Sequence, residues 1–217
     1  MSNQSKDLLK IFNQHLDELK TSVESFPWEN KQAYAAWLAQ SYYYVRHTTI
    51  FLSLMAGKYG IASPEGHKET LSHLREEHGH DKLALNDLKA LGVDVQAFPE
   101  QPPTTLLYQT QYYWLHCFGP ATLTGYSLML EGLSARYAPD VAKRVEKAHG
   151  TKTASFLKVH GVADQHHFAE GVERLALAPK IEIENALKNL AQSTELYRSL
   201  LNAAASFAKV TPLKKAA

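Results

Sequence analysis

The chain has 217 residues, of which 45% are hydrophobic and 21% are charged. That length is enough for one domain with a buried core, and the composition excludes a disordered or membrane-spanning chain. With 23 lysines and arginines against 22 aspartates and glutamates, the formal charge is +1, which provides no basic excess for nucleic-acid binding.

The cysteine content and the first residues indicate the compartment. Cys117 is the single cysteine, so an internal disulfide framework is excluded and a reducing compartment is favoured. The first residues lack the apolar core of a signal peptide, and no run of apolar residues is long enough for a transmembrane helix. We therefore expect a soluble cytoplasmic protein that does not bind membranes.

Helical periodicity and helix stop signals divide almost the whole chain into helices. Leu8, Phe12 and Leu19 recur at helical spacing in the first segment. Ser63 and Pro64 have the residue types that begin a helix, and Gly92 is a typical end. The predicted helices, in chain order, cover residues 5–22, 30–57, 63–92, 104–118, 120–137, 139–150, 151–177 and 181–209.

No segment shows the alternation of polar and apolar residues that predicts a strand. We therefore predict an all-α, single-domain bundle of seven or eight helices over residues 1–209, followed by a disordered tail at residues 210–217. Helical bundles place metal sites between facing helices, so polar residues that share one face of a helix are candidate metal ligands.

The segment 151–177 contains the pattern His160-x3-Asp164-x2-His167. Residues three, four and seven apart share one face of a helix, so two imidazoles and a carboxylate point the same way. That combination suits iron, manganese or zinc. The same spacing and chemistry recur earlier in the chain as His73-x3-Glu77-x2-His80. Together the two patterns predict a metal site between helices.

A further carboxylate, Glu131, is the single charged residue between Phe118 and Leu133. Burying a carboxylate in such an apolar run is costly unless it is paired or bound to a cation. Glu131 could instead face solvent or pair with Arg136. Beside two predicted ligand helices, we favour a ligand role.

Each pattern could also be an ordinary polar helix face. This alternative is more credible around Glu77, where Glu76 is expected on the surface, paired with Arg75 or Lys82. Glycines next to proposed ligands favour close contact between helices. They are Gly79 beside His80, Gly132 beside Glu131 and Gly161 beside His160.

The charges of the six candidate ligands help to choose the metal. Three are carboxylates and three are neutral imidazoles: Glu77, Glu131, Asp164, His80, His160 and His167. Six ligands exceed the usual four of a single zinc ion. Two ferrous ions would nearly neutralise the carboxylates and leave open coordination positions, with manganese as an alternative metal.

These motifs resemble those of the heme-oxygenase-like diiron oxidases, the iron-containing redox enzymes of the heme oxygenase/TenA-like superfamily. The resemblance rests on Glu77-x2-His80, on Glu131 in Leu-Glu-Gly-Leu, and on His160-x3-Asp164-x2-His167, and it covers about residues 30–175. It implies a seven-helix bundle in which the six matching positions hold two irons that activate O₂. The chain departs from the family at His73, which could be an additional ligand or a neighbour of the ligands.

Other members of the superfamily fit less well. A heme oxygenase needs a proximal histidine, for which His47 is available, but the three-helix ligand set would then have no purpose. Thiaminase-type members need a nucleophilic cysteine; Cys117 has no matching motif, and a buried structural cysteine is the commoner case. Arg46 could bind a carboxylate, although a salt bridge is more common.

The sequence therefore predicts an O₂-dependent non-heme diiron oxidase or oxygenase. The expected reaction is N-oxygenation, or cleavage of a C–C or C–N bond, in a small amino-acid-like or fatty-acid-like metabolite. The expected partners are this substrate and O₂, and a homodimer is compatible with the sequence. The alternative is a non-catalytic or heme-binding helical protein of the same fold.

Overall fold

A computed structural model describes residues 2–209, so the tail predicted at 210–217 lies outside the described residues. The described part of the chain contains nine α-helices, four single-turn 3-10 helices and no strands, which confirms the all-α prediction. The α-helices are α1 (Asn3–Glu24), α2 (Lys31–Val45), α3 (Thr48–Tyr59), α4 (Pro64–Glu77), α5 (His80–Ala90), α6 (Pro102–Phe118), α7 (Leu123–His149), α8 (Ser155–Leu175) and α9 (Lys180–Ser206).

Helix α2 runs through the centre of the bundle, and eleven of its 15 residues are buried. Asn30 caps it, because the side-chain oxygen accepts the backbone N–H groups of Gln32 and Ala33 at 3.0 and 3.1 Å. Helix α1 instead buries one stripe, which includes Leu8, Phe12 and Leu19 at helical spacing. The central position of α2 explains why its sequence shows little amphipathic pattern.

Two predicted helices are divided in the structure. The predicted helix 30–57 breaks at Arg46 and His47, and the predicted helix 63–92 breaks at His78 and Gly79. The first break contains neither glycine nor proline, so nothing local in the sequence marks it. At the second break, Gly79 has a φ angle of 92°, a left-handed conformation that ends α4 and reorients the chain into α5.

One predicted boundary is absent. The sequence predicts that a new helix begins at Pro139, but this residue lies inside α7, which is continuous from Leu123 to His149. A proline inside a helix costs one backbone hydrogen bond. The surrounding packing outweighs that cost, since α7 lies against both α8 and α9 and its neighbours Ala138, Val141 and Ala142 are buried. No helix within residues 2–209 combines the length and low charge needed to cross a bilayer.

Candidate metal centre

The break between α4 and α5 places two proposed ligands at helix ends. Glu77 is the last residue of α4 and His80 is the first residue of α5. Their side chains meet, with Glu77 Oε2 3.1 Å from His80 Nδ1. No atom lies within 4 Å of the position that a Cβ of Gly79 would take, so the close helix contact expected there is wrong. The glycine is needed for its backbone conformation instead.

Glu131 lies in the middle of α7 and is buried, with 8% of its surface exposed. Burial raises the pKa of its carboxyl to about 7, and the nearby carboxylates of Asp164 and Glu77 act in the same direction. Arg136 is not its partner, because that guanidinium binds Asp17 at 2.6 Å. The imidazole of His73 lies near it, with Nε2 3.9 Å from Glu131 Oε1.

Helix α8 contributes the remaining candidates from one face. The Nδ1 atom of His160 lies 2.8 Å from the carbonyl oxygen of Phe156. A carbonyl only accepts hydrogen bonds, so Nδ1 carries the proton and Nε2 keeps a lone pair for a metal. The imidazole centroids of His160 and His80 are 4.8 Å apart. Asp164, one turn further along, is only 3% exposed.

His167 has two carboxylate neighbours. Its Nδ1 atom lies 3.8 Å from Asp164 Oδ1, and its Nε2 atom lies 2.9 Å from Glu76 Oε2. The expected pairing of Glu76 with Arg75 or Lys82 is therefore replaced by a contact with a proposed ligand. Periodicity could not show this contact, because His167 approaches α4 from a different helix.

Glycines allow α7 and α8 to approach each other near these ligands. A Cβ on Gly161 would lie 3.3 Å from Ala138 Cβ and 3.3 Å from Pro139 Cδ. A Cβ on Gly132 would lie 2.9 Å from a ring carbon of Phe168. The close packing predicted at these two glycines is confirmed, and it brings Glu131 and the α8 ligands towards one another.

Within residues 2–209, two groups of side chains have the donor atoms and spacing to hold a metal ion. One group is His73, Glu77 and His167, and the other is Glu77, His80 and His160. Within each group, one ligand atom from every residue lies within 4.8 Å of the others. The groups share Glu77, and a carboxylate has two oxygens that can serve two cations. Together the two groups form one metal cluster of His73, Glu77, His80, His160 and His167. His73, where the sequence departs from the family pattern, thus lies inside this cluster.

Hydrogen bonds and charges within the cluster shift several pKa values. Burial would raise the pKa of Glu77, but hydrogen bonds with His73 and His80 outweigh it and hold the pKa well below its ordinary value. The bond with Glu77 also raises the pKa of His80. The neighbouring Asp164 carboxylate raises the pKa of His167 to about 9. Imidazoles and carboxylates thus compensate each other's charge.

The polar atoms of this cluster fit metal ions. The Nδ1 atom of His167 is buried and has no hydrogen-bond partner, which is costly for a polar atom. Glu131 is a buried carboxylate whose charged form is disfavoured by its surroundings. Nitrogen and oxygen donors in this mixture are typical ligands of iron and manganese.

Comparison with known proteins agrees with this chemistry. The sequence model of the iron-containing redox enzymes matches residues 35–198. The chain belongs to this family. No individually curated protein matches the chain.

Solved structures show that the fold of this family member is heme-oxygenase-like. A domain of unknown function with that fold from Shewanella denitrificans is 21% identical, with a TM-score of 0.78 and 91% of each chain covered. A TenA homologue from Pseudomonas syringae is 14% identical, with a TM-score of 0.77 and coverage of 93% of this chain and 92% of its own. A CADD-like protein of unknown function from Nostoc punctiforme is 19% identical, with a TM-score of 0.69 and coverage of 98% and 100%.

The residues considered for other roles, namely a proximal heme ligand, a nucleophilic cysteine and a carboxylate-binding arginine, lie outside the cluster. His47 stacks on Tyr108 with a centroid distance of 4.0 Å, and its Nδ1 atom is hydrogen-bonded to Tyr112 at 2.8 Å, while its Nε2 atom is buried without a hydrogen-bond partner. Cys117 is exposed on α6, which corrects the expectation of a buried structural cysteine. Arg46 lies 3.6 Å from Glu100, the salt bridge that was the commoner alternative to a substrate carboxylate.

Two cavities of this family member meet at the cluster. An inner cavity of about 110 Å³ is lined mainly by apolar and aromatic side chains such as Trp37, Phe51 and Leu133. An outer cavity of about 590 Å³ lies between α3, α4, α7 and α8. Five residues line both cavities: Leu52, His73, Leu123, Ser127 and Glu131.

The outer cavity has charged residues around it. The guanidinium of Arg174 on α8 lies 3.2 Å from Glu69 on α4, and both side chains are partly exposed. Lys58 and Glu182 also line this cavity. A polar molecule could enter on this side and reach the carboxylate of Glu131, while the inner cavity would accept an apolar group.

Proposed function

We propose that this iron-containing redox enzyme is a non-heme diiron oxidase or oxygenase that uses O₂ to oxidise a small metabolite. The observation that carries the proposal is the pair of donor groups that share Glu77. One ion would be held by Glu77, His80 and His160. The other would be held by His73, Glu77 and His167, with the buried carboxylates of Glu131 and Asp164 completing the set.

Bound ferrous ions would supply the electrons that reduce O₂. The protein residues would hold the ions and control the surroundings. Glu77, Glu131 and Asp164 would supply three negative charges against the four positive charges of two divalent ions. The histidines are neutral donors when bound, so the charge of the buried cluster would be nearly balanced.

The cavities support oxidation of a small molecule at this site. The inner cavity is apolar, so it would exclude water and hold a nonpolar part of the substrate next to Glu77 and Glu131. The outer cavity would admit substrate and O₂ past His73. N-oxygenation, or C–C or C–N cleavage, of an amino-acid-like or fatty-acid-like molecule is the reaction class that we propose.

The proposal is tested by loading the metal-free protein with Fe²⁺ under anaerobic conditions and then adding O₂. We expect O₂ consumption and a transient change in visible absorption, and neither should occur in a His160→Ala variant. A loaded protein that consumes no O₂ above the His160→Ala control would contradict the proposal. A strong Soret band in the purified protein would contradict it as well, since that band indicates heme.

A further inference from the structure

Asp87 on α5 is a fully buried carboxylate outside the metal cluster. It accepts hydrogen bonds from the backbone of α8. Its Oδ1 atom accepts the backbone N–H of Ser155 at 3.0 Å, and its Oδ2 atom accepts that of Phe156 at 2.8 Å. Ser155 and Phe156 are the first two residues of α8. Asp87 therefore satisfies two backbone donors that a helix start leaves unpaired.

Helix α8 has no cap of its own. The residue before it is Ala154, which has no side chain that can accept a hydrogen bond, and no local side-chain cap is formed. A carboxylate is also favoured at the positive end of the helix dipole. The start of α8 thus depends on a residue 68 positions earlier in the chain, supplied by the helix that begins with His80.

The same peptide segment orients a proposed metal ligand. Phe156 donates its N–H to Asp87 and accepts the Nδ1 proton of His160 at its carbonyl oxygen, 2.8 Å away. The Phe156 ring also packs against the His160 imidazole, with a centroid distance of 4.3 Å. Phe156 is therefore held by Asp87 on one side and holds His160 on the other.

These contacts connect α5 and α8 beside the donor group formed by Glu77, His80 and His160. His80 and Asp87 are seven residues apart on α5, so they lie on the same face of that helix. Asp87 is bonded to the start of α8, and His160 follows one turn later. The imidazoles of His80 and His160 then meet at a centroid distance of 4.8 Å. The distance between the imidazoles of His80 and His160 therefore depends on the hydrogen bonds between Asp87 and the start of α8.

We infer that Asp87 is a positioning residue for the metal group formed by Glu77, His80 and His160. It fixes the start of α8 relative to α5, and through Phe156 it holds His160 with Nε2 free to bind a metal. This inference rests on the proposed function, since it assumes that this group binds one of two metal ions. In the metal-free protein as well, the Nδ1–H tautomer of His160 depends on Asp87.

The test compares Asp87→Ala and Asp87→Asn with Asn30→Ala. Asn30 is a matched control, because it also accepts two backbone N–H groups, at the start of a helix that carries no proposed ligand. Binding of Co²⁺ is measured by titration and visible absorption. In Asp87→Ala, we expect the affinity of one of the two Co²⁺ sites to fall by about 10- to 100-fold, as for other residues that orient metal ligands.

Asp87→Asn should give a smaller loss, because an amide oxygen can still accept one N–H but the amide nitrogen cannot accept the other. Asn30→Ala should lower the melting temperature while leaving both Co²⁺ affinities within about twofold of wild type, since lost caps act mainly on stability. If Asp87→Ala does not fold, the Co²⁺ affinities of Asp87→Asn test the inference in its place. Wild-type Co²⁺ affinities in the Asp87 variants, or an equal loss in Asn30→Ala, would overturn the inference.

A second measurement separates failure of this inference from failure of the proposed function. Nitrogen-15 NMR of the metal-free protein reports which imidazole nitrogen of His160 carries the proton. We expect the Nδ1–H tautomer in wild type and a mixture of tautomers in Asp87→Asn. An unchanged tautomer in Asp87→Asn would overturn the inference, whatever the metal content. A wild-type protein that binds fewer than two Co²⁺ ions would instead count against the proposed function.

Discussion

The carboxylate of Glu77 and the imidazole of His80 lie 3.1 Å apart, although the two residues belong to different helices. In a continuous helix they would be neighbours on one face. Here they come together across a break, because Gly79 takes a left-handed conformation with a φ angle of 92°. The geometry of the shared carboxylate therefore depends on a backbone conformation that few other residues adopt.

Gly79→Ala should destabilise the protein and weaken metal binding. An alanine at positive φ costs about 1 kcal/mol or more, and no neighbouring atom would obstruct the new methyl group, so the cost is one of backbone conformation. Relief of that strain by reorienting α5 would move His80 away from Glu77. We expect a lower melting temperature and a lower Co²⁺ affinity, measured by thermal melts and titration.

Gly57→Ala is the control for this prediction. Gly57 lies inside α3, and its Cβ position is also free of neighbours. Alanine is favoured over glycine within a helix by up to about 1 kcal/mol, so this variant should be as stable as wild type or more stable. The account of Gly79 would be refuted by equal effects of the two substitutions on stability.

Glu131→Gln should stabilise the metal-free protein at pH 8. Burial raises the pKa of Glu131 to about 7, above its ordinary value of 4.5. A carboxyl with a higher pKa in the folded state binds more protons when folded, so stability falls as the pH rises from about 4.5 to about 7. Glutamine does not ionise, and the variant should gain up to about 3 kcal/mol above pH 7.

Denaturant unfolding at pH 5 and pH 8 measures this effect, with Glu184→Gln as the control. Glu184 forms a surface ion pair with Lys180 at 3.8 Å, which should contribute no more than about 1 kcal/mol at either pH. With Fe²⁺ present, the effect of Glu131→Gln should reverse, because the variant lacks a proposed ligand. A gain that is the same at both pH values would show that ionisation of Glu131 is not its cause.

His167→Ala and His166→Ala should differ sharply in metal content. His167 belongs to one of the two donor groups, whereas its neighbour His166 is exposed and belongs to neither. Removal of a metal ligand should abolish binding at one of the two positions, while the His166 variant should bind as wild type does. Metal analysis after loading and gel filtration checks the difference. Wild-type metal content in both variants would mean that this face of α8 is an ordinary polar surface.

Local patterns in the sequence predicted the all-α class and most of the helix boundaries, and they singled out the proposed ligands. The spacing of His160, Asp164 and His167 shows a shared helix face whatever the rest of the fold does. Glu131 could be singled out because an isolated carboxylate in an apolar run needs a partner. The heme-oxygenase-like fold was predicted through the resemblance that the same residues carry.

Features that depend on contacts between helices could not be predicted in the same way. The break at His47 has no glycine or proline, and Pro139 is tolerated within α7 because the packing around it outweighs a lost hydrogen bond. The contact of Glu76 with His167 joins residues from α4 and α8. Asp87 caps a helix that begins 68 residues later, and no local pattern relates them.

The central claim is that two metal ions are bound at a cluster that shares Glu77. The most direct test is iron analysis, with Mössbauer spectroscopy, of the metal-free protein after anaerobic loading with Fe²⁺ and removal of excess metal. We predict about two irons per chain in wild type, in two distinguishable environments because only one of the two ions is proposed to bind the carboxylates of Glu131 and Asp164 as well. A wild-type content of one iron or none, or two irons retained in Glu77→Ala, would contradict the account.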